Sequence, residues 1–134
     1  MNTALNAMIL CDFYKISHRE QYPQKTEYVY STWTPRESRI EGIEQVLSFG
    51  HQGFIKEYLI EFFQTHFFSK PKNEVVAAYS RIIKSTLGVE DPPTKHIEEL
   101  HDLGYLPLSI KSLPEGTLVP IRTPVLTIIN TDPR

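Results

Sequence analysis

Leu106-Pro107-Leu108-Ser109-Ile110-Lys111-Ser112-Leu113 is the stretch at which the chain changes its rhythm. Before it, apolar residues recur every three or four positions, as a helix buried along one side requires; from here on they alternate, as a half-buried strand requires. Leu106 to Leu113 therefore reads as a strand. Pro114-Glu115-Gly116 follows as a tight turn in which proline fixes φ and glycine closes the loop. Leu118-Val119-Pro120-Ile121 and Val125 to Ile129 are two more short β segments, separated by Arg122-Thr123-Pro124. The carboxy-terminal part is expected to form a β meander.

Working back from that switch, three segments carry helical spacing. From Gln52 on, Phe54, Ile55, Tyr58, Leu59, Phe62 and Phe63 form a broad apolar stripe, with Lys56, Glu57 and Glu61 off it. Ser69-Lys70-Pro71-Lys72-Asn73 breaks the pattern and opens a second helix, Glu74 to Thr86, for which Gly88 is the stop. Asp91-Pro92-Pro93 is a stiff connector. Thr94 then caps a short third helix that carries Ile97, Leu100 and Leu103 up to Gly104. Glu44 to Phe49 admits two readings, the first turns of a helix or a short strand, Gln45 to Phe49. Glycines at 50 and 53 would each cost a helix interior about 1 kcal/mol relative to alanine, which favours the strand. Thr26 to Thr34, dense in β-branched and aromatic residues, is the clearest strand of the first half, and Pro35 ends it. Met1 to Leu10 reads as a helical lead-in or a frayed end. Helix, strand, strand, three helices and a meander make an α+β protein, its helices packed on a mostly antiparallel sheet.

The length of 134 residues suits one domain, 1–134, with a single core. Fourteen basic residues against 16 acidic ones leave no broad field for nucleic acid or an acidic membrane surface. No apolar run is long enough to span a bilayer. One cysteine, Cys11, excludes an intramolecular disulfide, and the first ten residues lack the basic start and long apolar run of a secretory signal, so a cytoplasmic protein is expected.

Cys11-Asp12-Phe13-Tyr14-Lys15-Ile16-Ser17-His18-Arg19-Glu20-Gln21-Tyr22-Pro23 stands apart from this frame. It is too polar for a core element and too aromatic for a solvated tail. Aromatic rings with polar tips concentrate where a surface meets a partner or ligand. The plain alternative is a short amphipathic helix from Phe13 to Gln21, capped by Asp12, stopped by Pro23, with Phe13, Tyr14 and Ile16 tucked against the domain.

The order D-x-Y-K-x-x-H-x-x-Q-Y-P at Asp12 to Pro23 resembles the opening signature of the nicotinamide phosphoribosyltransferase family. The run from Leu106 to Pro133 is similar to that family's L-P-I-x-I-K-x-x-P-E-G-x-x-x-P-x-x-x-x-L-x-x-x-x-N-T-D-P. The two motifs stand in the family's order, and the middle of the chain matches more loosely. The resemblance covers nearly all of these residues but only about the first third of the enzyme. It implies the amino-terminal domain of a type II phosphoribosyltransferase without its barrel, in which Thr131-Asp132-Pro133-Arg134 would otherwise run into a long helix and that barrel. It further implies the reaction of nicotinamide with phosphoribosyl pyrophosphate to nicotinamide mononucleotide and pyrophosphate, in NAD salvage. Nicotinate as substrate stays open, since the residue that separates acid from amide is expected in the barrel.

What the resemblance implies for single residues is limited to substrate binding. Tyr14 matches a tyrosine that stacks on the nicotinamide ring from a neighbouring subunit, with plain interface packing as the alternative. Asp12 falls at the rim of the same pocket, near the amide, where a carboxylate accepts hydrogen bonds from NH₂; capping a helix is compatible with that. Arg36 lies where the family has an arginine reaching phosphate across the dimer, the alternative being a solvated side chain. No catalytic and no metal-binding residue is assigned, no cofactor is expected in this chain, and Mg²⁺ would belong to the complete enzyme. The chain by itself is expected to show no turnover and to act as a homo-oligomer or with a barrel-containing chain. A stand-alone interaction module that kept the fold without the chemistry is the rival reading.

Other chemistry-bearing residues read more plainly. His18 next to Ser17 lacks a third member for a triad, and a structural hydrogen bond is expected. His96 and His101 are five apart and so point away from a common helix face, unlike a zinc helix, and are assigned to a solvated surface. Cys11 is expected to be a buried or half-buried thiol. No glycine-rich phosphate loop occurs. Apolar faces at Phe62 to Phe68 and Val125 to Ile129 are expected to need cover, and hence to drive self-association.

Overall fold

The computed structural model describes residues 6–133, so that part of the expected lead-in, residues 1–5, lies outside them. Helices and antiparallel strands segregate along the chain, which makes the protein α+β. The described residues form two compact units, one of residues up to Tyr22 with Lys56–Leu106, the other of Pro23–Ile55 with the residues from Pro107 on.

The first unit is helical. Its core is built on α3 (Lys72–Leu87), where Val75, Tyr79 and Ile83 recur every fourth residue and are all buried. Against them pack Ile97 of α4 (Lys95–Leu103) and Phe67, both without any exposed surface. Gly88 and Gly104 end these helices with φ of 69° and 80°, a left-handed turn that a side chain would disfavour. The helix that starts in the second unit as α2 (His51–Phe54) continues as π-helix over Ile55–Glu61 and Gln64–Phe68. Its Phe62, Phe63 and Phe68 are half-buried against the same core, which covers the aromatic face expected to be exposed. At the amino end, Ala7–Ile9 makes a single 3₁₀ turn held by Asn6. The buried amide of Asn6 accepts from the Met8 N–H at 3.0 Å and donates to the Val75 carbonyl at 3.1 Å.

The two histidines of α4 are not on a solvated face. His101 is half-buried, its Nε2 at 2.8 Å from the Lys70 carbonyl and its ring edge-on to Phe67. His96 lies edge-on to Tyr79 with ring centroids 5.7 Å apart, and its Nδ1 is buried without a partner. Their five-residue separation does turn them apart, but each apolar neighbour comes from another part of the core, which helix spacing alone does not show.

The second unit carries the strands. β1 (Tyr30–Trp33), β5 (Leu126–Asn130) and β3 (Leu108–Ser112) form one sheet in the order β1-β5-β3, and β2 (Gln45–Ser48) pairs with β4 (Thr117–Pro120) in a second ladder. Every pairing is antiparallel. The expected meander is therefore split: β3 and β5 pair with each other, while β4 leaves them for β2, with Val119 opposite Val46 and Leu118 opposite Leu47. Val125 and Leu126 are buried and Thr127 to Ile129 half-buried, so this stretch is partly covered within the chain. β1 is shorter than the stretch Thr26 to Thr34 because its ladder stops at Tyr30. The next N–H, that of Val29, goes to the side chain of Asn130 at 2.8 Å instead of to backbone. Among the described residues no helix is long and apolar enough to cross a membrane.

Two outcomes follow from the first unit. Ile97→Ala removes a fully buried side chain and is expected to lower the unfolding free energy by about 2–5 kcal/mol in urea titrations. Breaking the exposed Lys72–Asp102 pair by Lys72→Ala should cost less than about 1 kcal/mol. The second outcome concerns pH. Burial, and then the Arg19 guanidinium, holds His96 below its ordinary value of 6.5, against the pull of Glu20 and Glu99. Just below that value the unfolded chain takes up a proton that the folded chain refuses, so the stability is complete above it and is lost as pH falls through the lowered value. Melting temperatures measured from about pH 7.5 down to about pH 5 are expected to fall, and to fall less in His96→Leu, which has nothing to titrate there.

Candidate functional site

Asp12 to Gln21 folds as a 3₁₀ helix over Phe13–Ser17 that passes into one α turn, α1 (His18–Gln21). With three residues per turn, positions 13 and 16 eclipse one another while 14 and 17 fall on another face. Phe13 and Ile16 are accordingly half-buried against the core of the first unit. Tyr14 points away and is 64% exposed. Tyr22 turns extended, with ψ of 146°, as the residue before Pro23 must.

The surroundings of Tyr14 fix its backbone more than its ring. Ser17 Oγ donates to the Tyr14 carbonyl at 3.1 Å and accepts from Gln21 Nε2 at 3.0 Å, tying the 3₁₀ turn to α1. The Lys15 ammonium lies 5.9 Å from the centre of the Tyr14 ring and 4.0 Å from an Asp12 carboxylate oxygen. Lys15 thus connects the acid and the aromatic ring, a role that reading the motif for Asp12 and Tyr14 alone does not bring out; the signal was its i+3 spacing from Asp12. Asp12 stands at the cap position, but its carboxylate makes no capping hydrogen bond; only its carbonyl takes the Lys15 N–H, at 2.9 Å. The carboxylate is exposed, and among the described residues a weak ion pair with Lys15 engages it. His18 packs its ring at 5.4 Å from that of Tyr14, tilted by 55°, where a hydrogen bond was expected. Cys11 is exposed, contrary to the expectation of a buried thiol.

Arg36 belongs to the second unit. It lines an open pocket of about 800 Å³ together with Thr34, Pro35, Glu37, Arg39 and Arg122. Arg122 sits in the turn after β4 and adopts φ of 73°, while its N–H donates to the Pro35 carbonyl at 2.8 Å. Arg39 and Arg122 carried no sequence signal. The turn Arg122-Thr123-Pro124 is readable, but which of its side chains meets Arg36 depends on the pairing of distant strands.

Other polar groups of the second unit serve its structure. Ser48 and His51, both buried, bond to each other at 3.0 Å, with Trp33 edge-on to the imidazole at 5.6 Å. Glu115 of the Pro-Glu-Gly turn accepts from the N–H of Gln52 at 3.0 Å, closing the start of α2. Asn130 accepts from Val29 and donates to the carbonyls of Glu27 and Asp132 at 2.8 and 2.7 Å. Among the described residues no three histidine, cysteine or acidic side chains gather to hold a metal ion.

A family model described as the N-terminal domain of nicotinamide phosphoribosyltransferase matches residues 6–110. The chain belongs to the nicotinamide phosphoribosyltransferase family. Among curated relatives bearing that name, the protein of Acinetobacter baylyi is 48% identical over 98% of this chain and 27% of its own length. That of Mycoplasma pneumoniae is 32% identical over 98% of the chain and 31% of its own length, and that of Mycoplasma genitalium 30% over 92% and 29%. The chain thus spans less than a third of the length of these three relatives.

If the Tyr14 ring is not part of the packing, removing it costs the fold little. Tyr14→Ala is expected to stay within about 0.5 kcal/mol of the parent in urea unfolding, while Phe13→Ala, one residue earlier and turned inward, should lose more than about 1 kcal/mol.

Proposed function

We propose that the chain forms one wall of the active site of a nicotinamide phosphoribosyltransferase, a pentosyltransferase of NAD salvage, and that the opposite wall comes from another subunit. In that reaction the ring nitrogen of nicotinamide bonds to C1 of the ribose of phosphoribosyl pyrophosphate. The bond from C1 to the pyrophosphate oxygen breaks, and pyrophosphate leaves with the electron pair. C1 carries oxocarbenium character on the way, and the nicotinamide ring ends as a pyridinium cation.

A flat ring that gains positive charge is well served by an aromatic face, through stacking and through the ring quadrupole. The observation that carries the reading is the outward, exposed ring of Tyr14 on a turn whose neighbours are anchored in the core. Asp12, exposed on the same turn, takes the amide NH₂ of the substrate. Arg36 takes phosphate oxygens, for which a planar guanidinium offers two parallel donors. Mg²⁺ on the pyrophosphate is held by parts of the complete enzyme outside this chain. The protein works in the cytoplasm, where a lone exposed thiol such as Cys11 stays reduced.

The test is a chimera in which this chain replaces the matched residues of the Acinetobacter baylyi relative. It is expected to make nicotinamide mononucleotide, whereas the chain alone makes none. Within the chimera, Tyr14→Ala should lower kcat/KM about 10–30-fold, and Tyr14→Phe, which keeps the ring face, should retain most of it. A folded chimera that is inactive, or one indifferent to Tyr14→Ala, would sink the reading.

A further inference from the structure

Two locally unfavourable features meet at the pocket beside β1. The first is backbone strain: Arg122 holds φ of 73°, a region that glycine enters freely and a side chain resists. The second is uncompensated charge. Arg36, Arg39 and Arg122 line the pocket with one carboxylate, Glu37, and no ion pair engages any of these four side chains among the described residues. Like charges around one hollow repel, and a strained residue is retained only where its surroundings over-determine it. What over-determines Arg122 is its N–H bond to the Pro35 carbonyl, at 2.8 Å, which ties the turn after β4 to the residue just before Arg36. The strained turn thus brings a second arginine to the lining of the pocket that Arg36 lines.

We infer that Arg122, positioned by its left-handed turn, joins Arg36 in clamping a pyrophosphate group, with Arg39 adding charge at the pocket. The inference rests on the proposed phosphate role of Arg36 and extends it to a residue from a separate loop. A pyrophosphate carries oxygens on two phosphorus atoms, so two guanidinium forks from different loops grip it where one would grip a single phosphate. The excess of positive charge over Glu37 matches a multiply charged anion, and the open pocket leaves the grip sensitive to salt. A purely structural Arg122 has no need of its guanidinium, and glycine would fill its place with less strain.

The measurement is calorimetric titration of the full chain with inorganic pyrophosphate, and with inorganic phosphate as the single-phosphorus comparison. Arg122→Gly is expected to raise the melting temperature by about 3–6 °C, from relief of the left-handed strain, while weakening pyrophosphate at least about tenfold. Arg36→Ala should weaken it similarly without raising the melting temperature. Arg122→Lys, which keeps the charge and loses the fork, should fall between parent and Arg122→Gly, and it answers the same question should the glycine variant not fold. If Arg36→Ala weakens pyrophosphate and the Arg122 variants do not, the clamp is wrong and the role of Arg36 stands. If the parent takes no pyrophosphate at millimolar concentration, or no substitution alters it, both fall, and the stacking role of Tyr14 is untouched.

Discussion

The three-residue period of the 3₁₀ turn at Phe13–Ser17 is the constraint on which the proposed site depends. An α-helix over the same residues would spread Phe13, Tyr14 and Ile16 around a wider arc, and burying the first and last would draw the middle ring toward the core. The tighter turn stacks Phe13 and Ile16 on one line and sends Tyr14 outward. Ser17 stabilises the change from one helix type to the other by bonding both the Tyr14 carbonyl and Gln21. The exposed phenol is thus a product of helix type. The core residues on either side supply the binding energy that holds it there, so the ring needs no packing of its own.

Local patterns carried most of the element list. Alternation located β3, β4 and β5 within a residue or two, glycines 88 and 104 stopped α3 and α4 where expected, and the strand reading of Gln45 to Phe49 held against the helical one. What the pattern could not carry was pairing. The turn Pro114-Glu115-Gly116 looks like a hairpin from β3 to β4, yet the N–H of Gly116 bonds the Ser48 carbonyl and β4 joins β2. Sequence proximity favours the hairpin; the distant strand offers Val46 and Leu47 opposite Val119 and Leu118, and that match of side chains prevails. Side-chain environments were harder still. His96 and His101 look solvated from their own helix because the deciding contacts come from elsewhere in the chain, and Cys11, for which a buried or half-buried thiol is the default, is exposed.

The motif residues divide by task in a way the motifs themselves do not announce. Glu115 closes the first turn of α2, and Asn130 fastens both the segment before β1 and the residues after β5. Both belong to the similarity with the family, and both are spent on backbone. Asp12 and Tyr14 belong to the other motif, and neither carboxylate nor ring is spent on backbone. A signature residue whose side chain bonds backbone within the fold explains why the fold persists. One that is left with open valence is a candidate for contact with something else.

The same contrast bears on Arg122. A chain in which Asn130 and Glu115 each bond backbone shows that its turns find partners where partners stabilise them. Against that background an arginine in a left-handed turn, lining a pocket with two other arginines and without an ion pair among the described residues, runs against both local rules at once. Solvation lowers the cost of the charges, since the side chains are at the surface, but it does nothing for the backbone. Neither the bond to Pro35 nor the turn needs a side chain at this position, because both are made by main-chain atoms. The guanidinium is therefore the part of the residue that the fold leaves unexplained, and Arg122 lines the same pocket as Arg36.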